Sequence, residues 1–197
     1  MNIRGTLNNQ KKIYIFLIGL AVISFLVGIL FIFIISNDNT KLINTGITNF
    51  YNTDNDLWKE FFASLFNNYL YILIIWILGI SIIGIPIILL MYLFKMFLFG
   101  FSLSSIIEVF KFKGILISLI DILPNKILFS IILILVTFYS ISFSSKLFKA
   151  LIFKVPINFR EFMNKYVKIL LYSLIILLFV SIYEGFISNY LLNFFNI

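Results

Sequence analysis

The sequence predicts an all-α, polytopic integral membrane protein of about five transmembrane helices plus one short re-entrant or interfacial helix. Three observations predict it. Of 197 residues, 62% are hydrophobic and 12% are charged, whereas an average soluble domain is roughly one-quarter charged. Mean hydropathy is +1.11. Residues 76–105 carry a single charge, Lys95, and a hydrocarbon core about 30 Å thick is crossed by about 20 apolar helical residues. One membrane domain, residues 1–197, accounts for the chain.

The first apolar run, residues 13–35, follows a polar lead with Arg4, Lys11 and Lys12. A secretory signal has an apolar core of about 7 to 15 residues before a small-residue cleavage site. This run is longer and has no such site, so it is expected to remain as a transmembrane helix. Residues 37–69 form the longest polar segment, too short to bury a core of its own. Within it, Leu57, Phe61, Phe62, Leu65 and Phe66 recur at helical spacing. They are read either as an interfacial helix or as the first turns of the next span.

Spans two and three are expected at residues 70–91 and 94–110, a tight antiparallel hairpin turning near Tyr92 and Lys95. Residues 111–126 contain an apolar piece, 115–123, too short to cross. It is read as interfacial or re-entrant, ending at Pro124. Spans four and five are expected at 127–144 and 169–183, separated by a basic segment, 145–168, that Pro156 breaks.

Lysine and arginine distribution orients such a chain. With a cytoplasmic N-terminus, the inner side receives Arg4, Lys11, Lys12, Lys95, Lys146, Lys149, Lys154, Arg160, Lys165 and Lys168. The outer side receives only Lys41, Lys59, Lys111, Lys113 and Lys126. The C-terminus is then outside. The net charge of +7 is assigned to this asymmetry and to anionic membrane lipids, not to nucleic acid.

The absence of cysteine and histidine excludes a thiol nucleophile, a disulfide framework, a histidine-ligated metal and a histidine base. Neither a serine–histidine nor an HExxH intramembrane protease can be assembled. An aspartyl protease needs two membrane-level aspartates, and only Asp121 stands near that depth. No phosphate-binding glycine motif appears. The chain is therefore expected to be no enzyme and to hold no cofactor and no metal.

What remains is packing and placement. Gly79, Ser81, Gly84 and Pro86 crowd the second span, and Gly100 and Ser104 form a small-xxx-small face on the third. Small residues let helix backbones approach closely in a bilayer, here as intramolecular packing, a homodimer interface or a substrate path. Pro86 withholds a donor from the Ile82 carbonyl and favours a kink. Lys95 is expected to snorkel from the hairpin's inner end. Asp121, in an apolar segment, needs a partner such as Lys126 or a serine, unless it serves as an ion or proton site. Lys146, Lys149, Lys154 and Arg160 read as topology and lipid anchors, and Glu184 as solvated at the outer interface.

The central hairpin resembles the stage II sporulation protein M family of endospore-forming bacteria. The residues that carry the resemblance are Trp76-Ile-Leu-Gly79, Gly84-Ile-Pro86, Lys95, Gly100-Phe101 and Leu123-Pro124-Asn125. The similarity is greatest over about residues 70–144, and Met96 stands where that family's pattern leads one to expect glycine. The resemblance implies a mother-cell membrane protein of engulfment. It would be a scaffold holding the peptidoglycan-degrading stage II sporulation proteins D and P at the septum. The competing reading is a permease subunit of a transporter, since a kinked glycine-rich hairpin beside a re-entrant segment also builds midplane sites.

Overall fold

The computed structural model describes residues 3–34, 43, 45–48, 56–81, 83–154, 158–188 and 190–191, with side chains from residue 11 onward. The helices are α1 (Ile3–Phe31), α2 (Leu57–Ile80), α3 (Gly84–Phe110), α4 (Phe112–Ile117), α5 (Leu123–Ile152) and α6 (Phe159–Ile182). A π-helical turn, Ser118–Ile122, joins α4 to α5, and a second, Tyr183–Ile187, extends α6. Among the described residues five helical segments, Lys11–Phe31, Leu57–Ile80, Gly84–Phe110, Phe112–Ile152 and Phe159–Ile187, are long and apolar enough to cross a membrane. The protein is a polytopic, all-helical membrane protein.

The chain reverses between α2 and α3 at Ser81–Ile83, not at Tyr92–Lys95. The physical reason lies in the residues at the true turn. Ser81 adopts an extended backbone and its N–H caps the Leu78 carbonyl. A Cβ on Gly84 would collide with that same carbonyl, so only glycine lets the chain fold back there. Pro86 falls in the first turn of α3, where a backbone N–H has no intrahelical acceptor anyway. It opens a helix and does not kink one; Ile82, whose carbonyl entered that expectation, lies outside the described residues, as does Pro156.

Of the two readings of residues 57–66 the structure has the second, and one further boundary differs from the sequence expectation. The amphipathic residues 57–66 belong to α2 itself, which starts at the N-cap Asp56, whose carboxylate accepts from the Trp58 N–H at 3.2 Å. The piece expected to end at Pro124 runs on without a break, so Phe112–Ile152 is one helical stretch of 41 residues. The interruption stands instead at Lys111, between α3 and α4, with φ 53°. That left-handed conformation is costly for a residue with a Cβ. Gly114 permits the sharp return, since a Cβ there would meet the Ile106 carbonyl at 2.5 Å.

Helices α2, α3, α5 and α6 surround a core in which Ile72, Ile75, Ile88, Tyr92, Leu133 and Leu177 are fully buried. Helix α1 lies along α3 from outside. Its seam is a reciprocal glycine crossing: a Cβ on Gly28 would strike the Phe97 carbonyl, and one on Gly100 the Phe25 carbonyl. Two hydroxyls tie the same seam, Tyr92 donating to the Leu17 carbonyl at 2.8 Å and Ser24 to that of Leu93 at 2.8 Å. The far side of α1, with Ile15, Phe16, Ile23 and Leu30, is exposed and apolar, as a lipid-facing surface is.

One end of the bundle carries the N-terminus of α1, the α2–α3 turn and the α5–α6 connection with its lysines; we call it the basic end. The opposite end carries the start of α2, the end of α3 and both π turns.

Candidate functional site

Most of the polar side chains that link different helices divide into two clusters, one in each half of the bundle. Toward the basic end the cluster is aromatic. Tyr166 stacks on Trp76 (centroids 5.1 Å) and on Phe143 (4.3 Å), and Phe143 stacks on Phe162 (4.6 Å). The Tyr166 hydroxyl donates to the Trp76 carbonyl at 2.7 Å and lies 2.8 Å from the Ser140 hydroxyl. Gly79 makes room, because a Cβ would meet Tyr166 and Ser140. Ser144 donates to the Ser81 carbonyl at 2.8 Å, fastening the turn. In this cluster the four rings of Trp76, Tyr166, Phe143 and Phe162 form one stacked series.

The other half is charged. Lys95 stands in the middle of α3, half-buried, so the snorkelling expectation fails together with the hairpin turn that motivated it. Its ammonium instead sits over three rings, Tyr71 at 4.8 Å, Phe129 at 5.2 Å and Phe99 at 5.7 Å. Such contacts are worth about 2 kcal/mol when desolvated. Lys126 lies over the same Phe99 ring at 5.2 Å. Tyr71 is itself fixed by donating to the Met91 carbonyl. Lys126 and Glu184 are the charged groups whose fields reach Lys95.

Glu184 is engaged from α2, where the Ser64 hydroxyl donates to it at 2.5 Å. Ser64 in turn accepts from Asn68 at 3.2 Å and lies 3.3 Å from the Ser181 hydroxyl. Asp121, expected to need a lysine or a serine, takes the serine: Ser188 donates to its carboxylate at 2.6 Å. Asn125 donates to the Asp121 carbonyl at 2.9 Å, while its own side-chain oxygen is buried without a partner.

The π turns explain how these groups converge. A π turn widens the helix and displaces its backbone pairing, and such turns concentrate at functional sites. Just after the first, Pro124 lacks the N–H that would bond to the Ile120 carbonyl in an α-helix. The Tyr183 hydroxyl, from the second π turn, supplies that donor at 2.8 Å. The two turns are thus joined twice, through Tyr183 and through Ser188. Glycine again sets the approach: a Cβ on Gly185 would meet the Phe61 Cβ at 2.7 Å, which brings α2 against the second turn.

Other predicted residues occupy simpler roles. Gly100 packs against α1 and not within the α2–α3 hairpin, while Ser104 is buried and donates to the Phe101 carbonyl within its own helix at 3.0 Å. Lys146 extends over the Phe162 ring at 4.3 Å, and Lys149, Lys154 and Arg160 are exposed at the basic end. Glu184 is half-buried and not simply solvated. Gly28, Ser64, Ser181, Tyr183 and Ser188 were not among the predicted residues. Ser64 and Asn68 stand four apart on one face of α2, and that spacing was the available signal.

Residues 21–189 match the model of the family described as stage II sporulation protein M. The chain belongs to that family. No curated protein and no solved structure matches it. The family match runs from the middle of α1 through the second π turn, so it takes in both clusters and extends well beyond the central hairpin.

Proposed function

We propose that this stage II sporulation protein M family member is a non-enzymatic anchor. It holds the peptidoglycan-degrading stage II sporulation proteins D and P at the septum, in the mother-cell membrane, while the membrane advances around the forespore. The observation that carries the reading is family membership over nearly the whole helical bundle. It is supported by an architecture built of helices long and apolar enough to cross a membrane. The mechanism is positional: tethering two enzymes to one site raises their local concentration without any new chemistry.

In this reading the basic end is cytoplasmic, following the lysine and arginine asymmetry, and the end with the π turns faces the wall. Residues 37–69, residues 110–126 and the chain after Glu184 are the surfaces offered to the hydrolases. Affinity purification of the tagged protein from sporulating cells in mild detergent is the test. Recovery of wall hydrolases supports the anchor. Recovery of an ATPase with no wall enzyme favours a permease subunit, the reading to which the charged half of the bundle lends support, because ionisable groups at membrane depth usually mark a path for ions or substrate.

A further inference from the structure

Two lysines, Lys95 and Lys126, stand in the charged half of the bundle with no carboxylate within ion-pair distance among the described residues. Among the described residues the ion pairs are Lys111 with Glu108 and Lys165 with Glu161, both on the surface. Glu184 is taken by Ser64 and Asp121 by Ser188. Lys95 and Lys126 are left with rings, and they share one, Phe99. Aromatic faces offset part of an ammonium's desolvation but cannot neutralise it, and two like charges on one ring repel. Both lysines are half-buried and not sealed, as are Ser64, Asn68 and Glu184.

We propose that Lys95 and Lys126 form a binding site for a phosphate oxyanion, entered from the end of the bundle that carries the π turns. A phosphate group takes charge-assisted hydrogen bonds from several ammonium donors at once. Placed between the two lysines, it replaces their mutual repulsion by two attractions. The rings of Tyr71, Phe99 and Phe129 hold the ammoniums and keep competing water from their other faces. Glu184 sets the strength of the site from its edge: it attracts Lys95 while it repels the anion. This inference does not depend on the anchor reading and survives if that reading fails.

The phosphate belongs either to a free anion or to a lipid headgroup, and the test separates them. The full chain is reconstituted in nanodiscs of phosphatidylcholine, and its thermal midpoint is followed against inorganic phosphate, with chloride added to hold ionic strength constant. A parallel set contains phosphatidylglycerol and no phosphate. A saturable rise in midpoint with inorganic phosphate identifies the free anion. A rise only with phosphatidylglycerol identifies the headgroup.

In either case Lys95→Met and Lys126→Met each weaken the response about tenfold or more, the loss of a charge-assisted hydrogen bond. Glu184→Gln strengthens it by roughly threefold to tenfold, because one repelling charge is removed. That gain keeps the test decisive even if a lysine variant folds poorly. A response absent in both lipids, or equal in wild type and all three variants, overturns the site.

Discussion

The glycine crossing between α1 and α3 makes a sharp quantitative prediction. An alanine methyl at Gly100 would fall on the Phe25 carbonyl, 2.9 Å from its carbon and 3.1 Å from the Ile29 nitrogen. All three atoms belong to backbone, so no side chain can rotate away, and the helices must part by about 1 Å. A gap of that size forfeits a quarter to a half of each dispersion well. With on the order of 30 atom pairs at the crossing, each worth ~0.1–0.2 kcal/mol, Gly100→Ala should cost about 1–2 kcal/mol. That agrees with the ~1–3 kcal/mol typical of overpacked cores.

Gly28→Ala acts on the same crossing, so the double variant should cost less than the sum of the two. Gly19 is the control. It lies on α1, where a Cβ would meet nothing within 4 Å, so Gly19→Ala should be neutral or gain a few tenths of a kcal/mol from helix propensity. The assay is thermal unfolding in detergent, paired with crosslinking of Phe31→Cys to Phe97→Cys, whose parent rings are 5.3 Å apart. The chain has no cysteine of its own, so every crosslink reports the seam. Unchanged stability and crosslinking in Gly100→Ala would refute the reasoning, as would an equal loss in Gly19→Ala.

Tyr183→Phe leaves the Ile120 carbonyl without its hydroxyl donor and should cost about 1–3 kcal/mol; adding Pro124→Ala, which returns a backbone N–H, should recover part of it in the same unfolding assay. Tyr166→Phe keeps the stack on Trp76 and Phe143 but loses two hydrogen-bonded neighbours, for about 1–2 kcal/mol. Gly79→Ala, which forces that hydroxyl aside, should show a coupling with it in a double-mutant cycle. Orientation is read by single cysteines: Asn55→Cys should label with an impermeant thiol reagent from outside intact cells, and Asn158→Cys only after permeabilisation. The reverse pattern inverts the bundle.

Hydropathy alone led to five helices long and apolar enough to cross a membrane, the number found among the described residues, because each needs about 20 apolar residues whatever its neighbours do. It could not place the turn within residues 70–110, which are apolar almost throughout. Lys95 drew the expected turn to itself, since a charge looks like an interface when its aromatic partners are unknown. Tyr71 and Phe129, which accommodate it, come from other helices and leave no mark near Lys95 in the sequence. Gly84 and Pro86 did signal the true turn, but the same pair also suits a kink inside a helix. Pro124 looked like a terminator for a similar reason. The donor that rescues its helix sits on Tyr183, and only the folded chain brings it there. Asp121 was identified by elimination, as the one carboxylate within an apolar segment, and the serine it needed is Ser188.

The Ser118–Ile122 turn also bears on how α3 and α5 fit together. A π turn holds one residue more than the α-turn it replaces, and one residue rotates a helix by about 100°. Removing a single residue there would therefore turn the α4 side by about 100° against α5, and it would pull Gly114 off the Ile106 carbonyl and Ile117 away from Ile106. The extra residue of the turn thus sets the register between α3 and α5: chain length, and not any one side chain, lets both helices keep their packing across the Lys111 return.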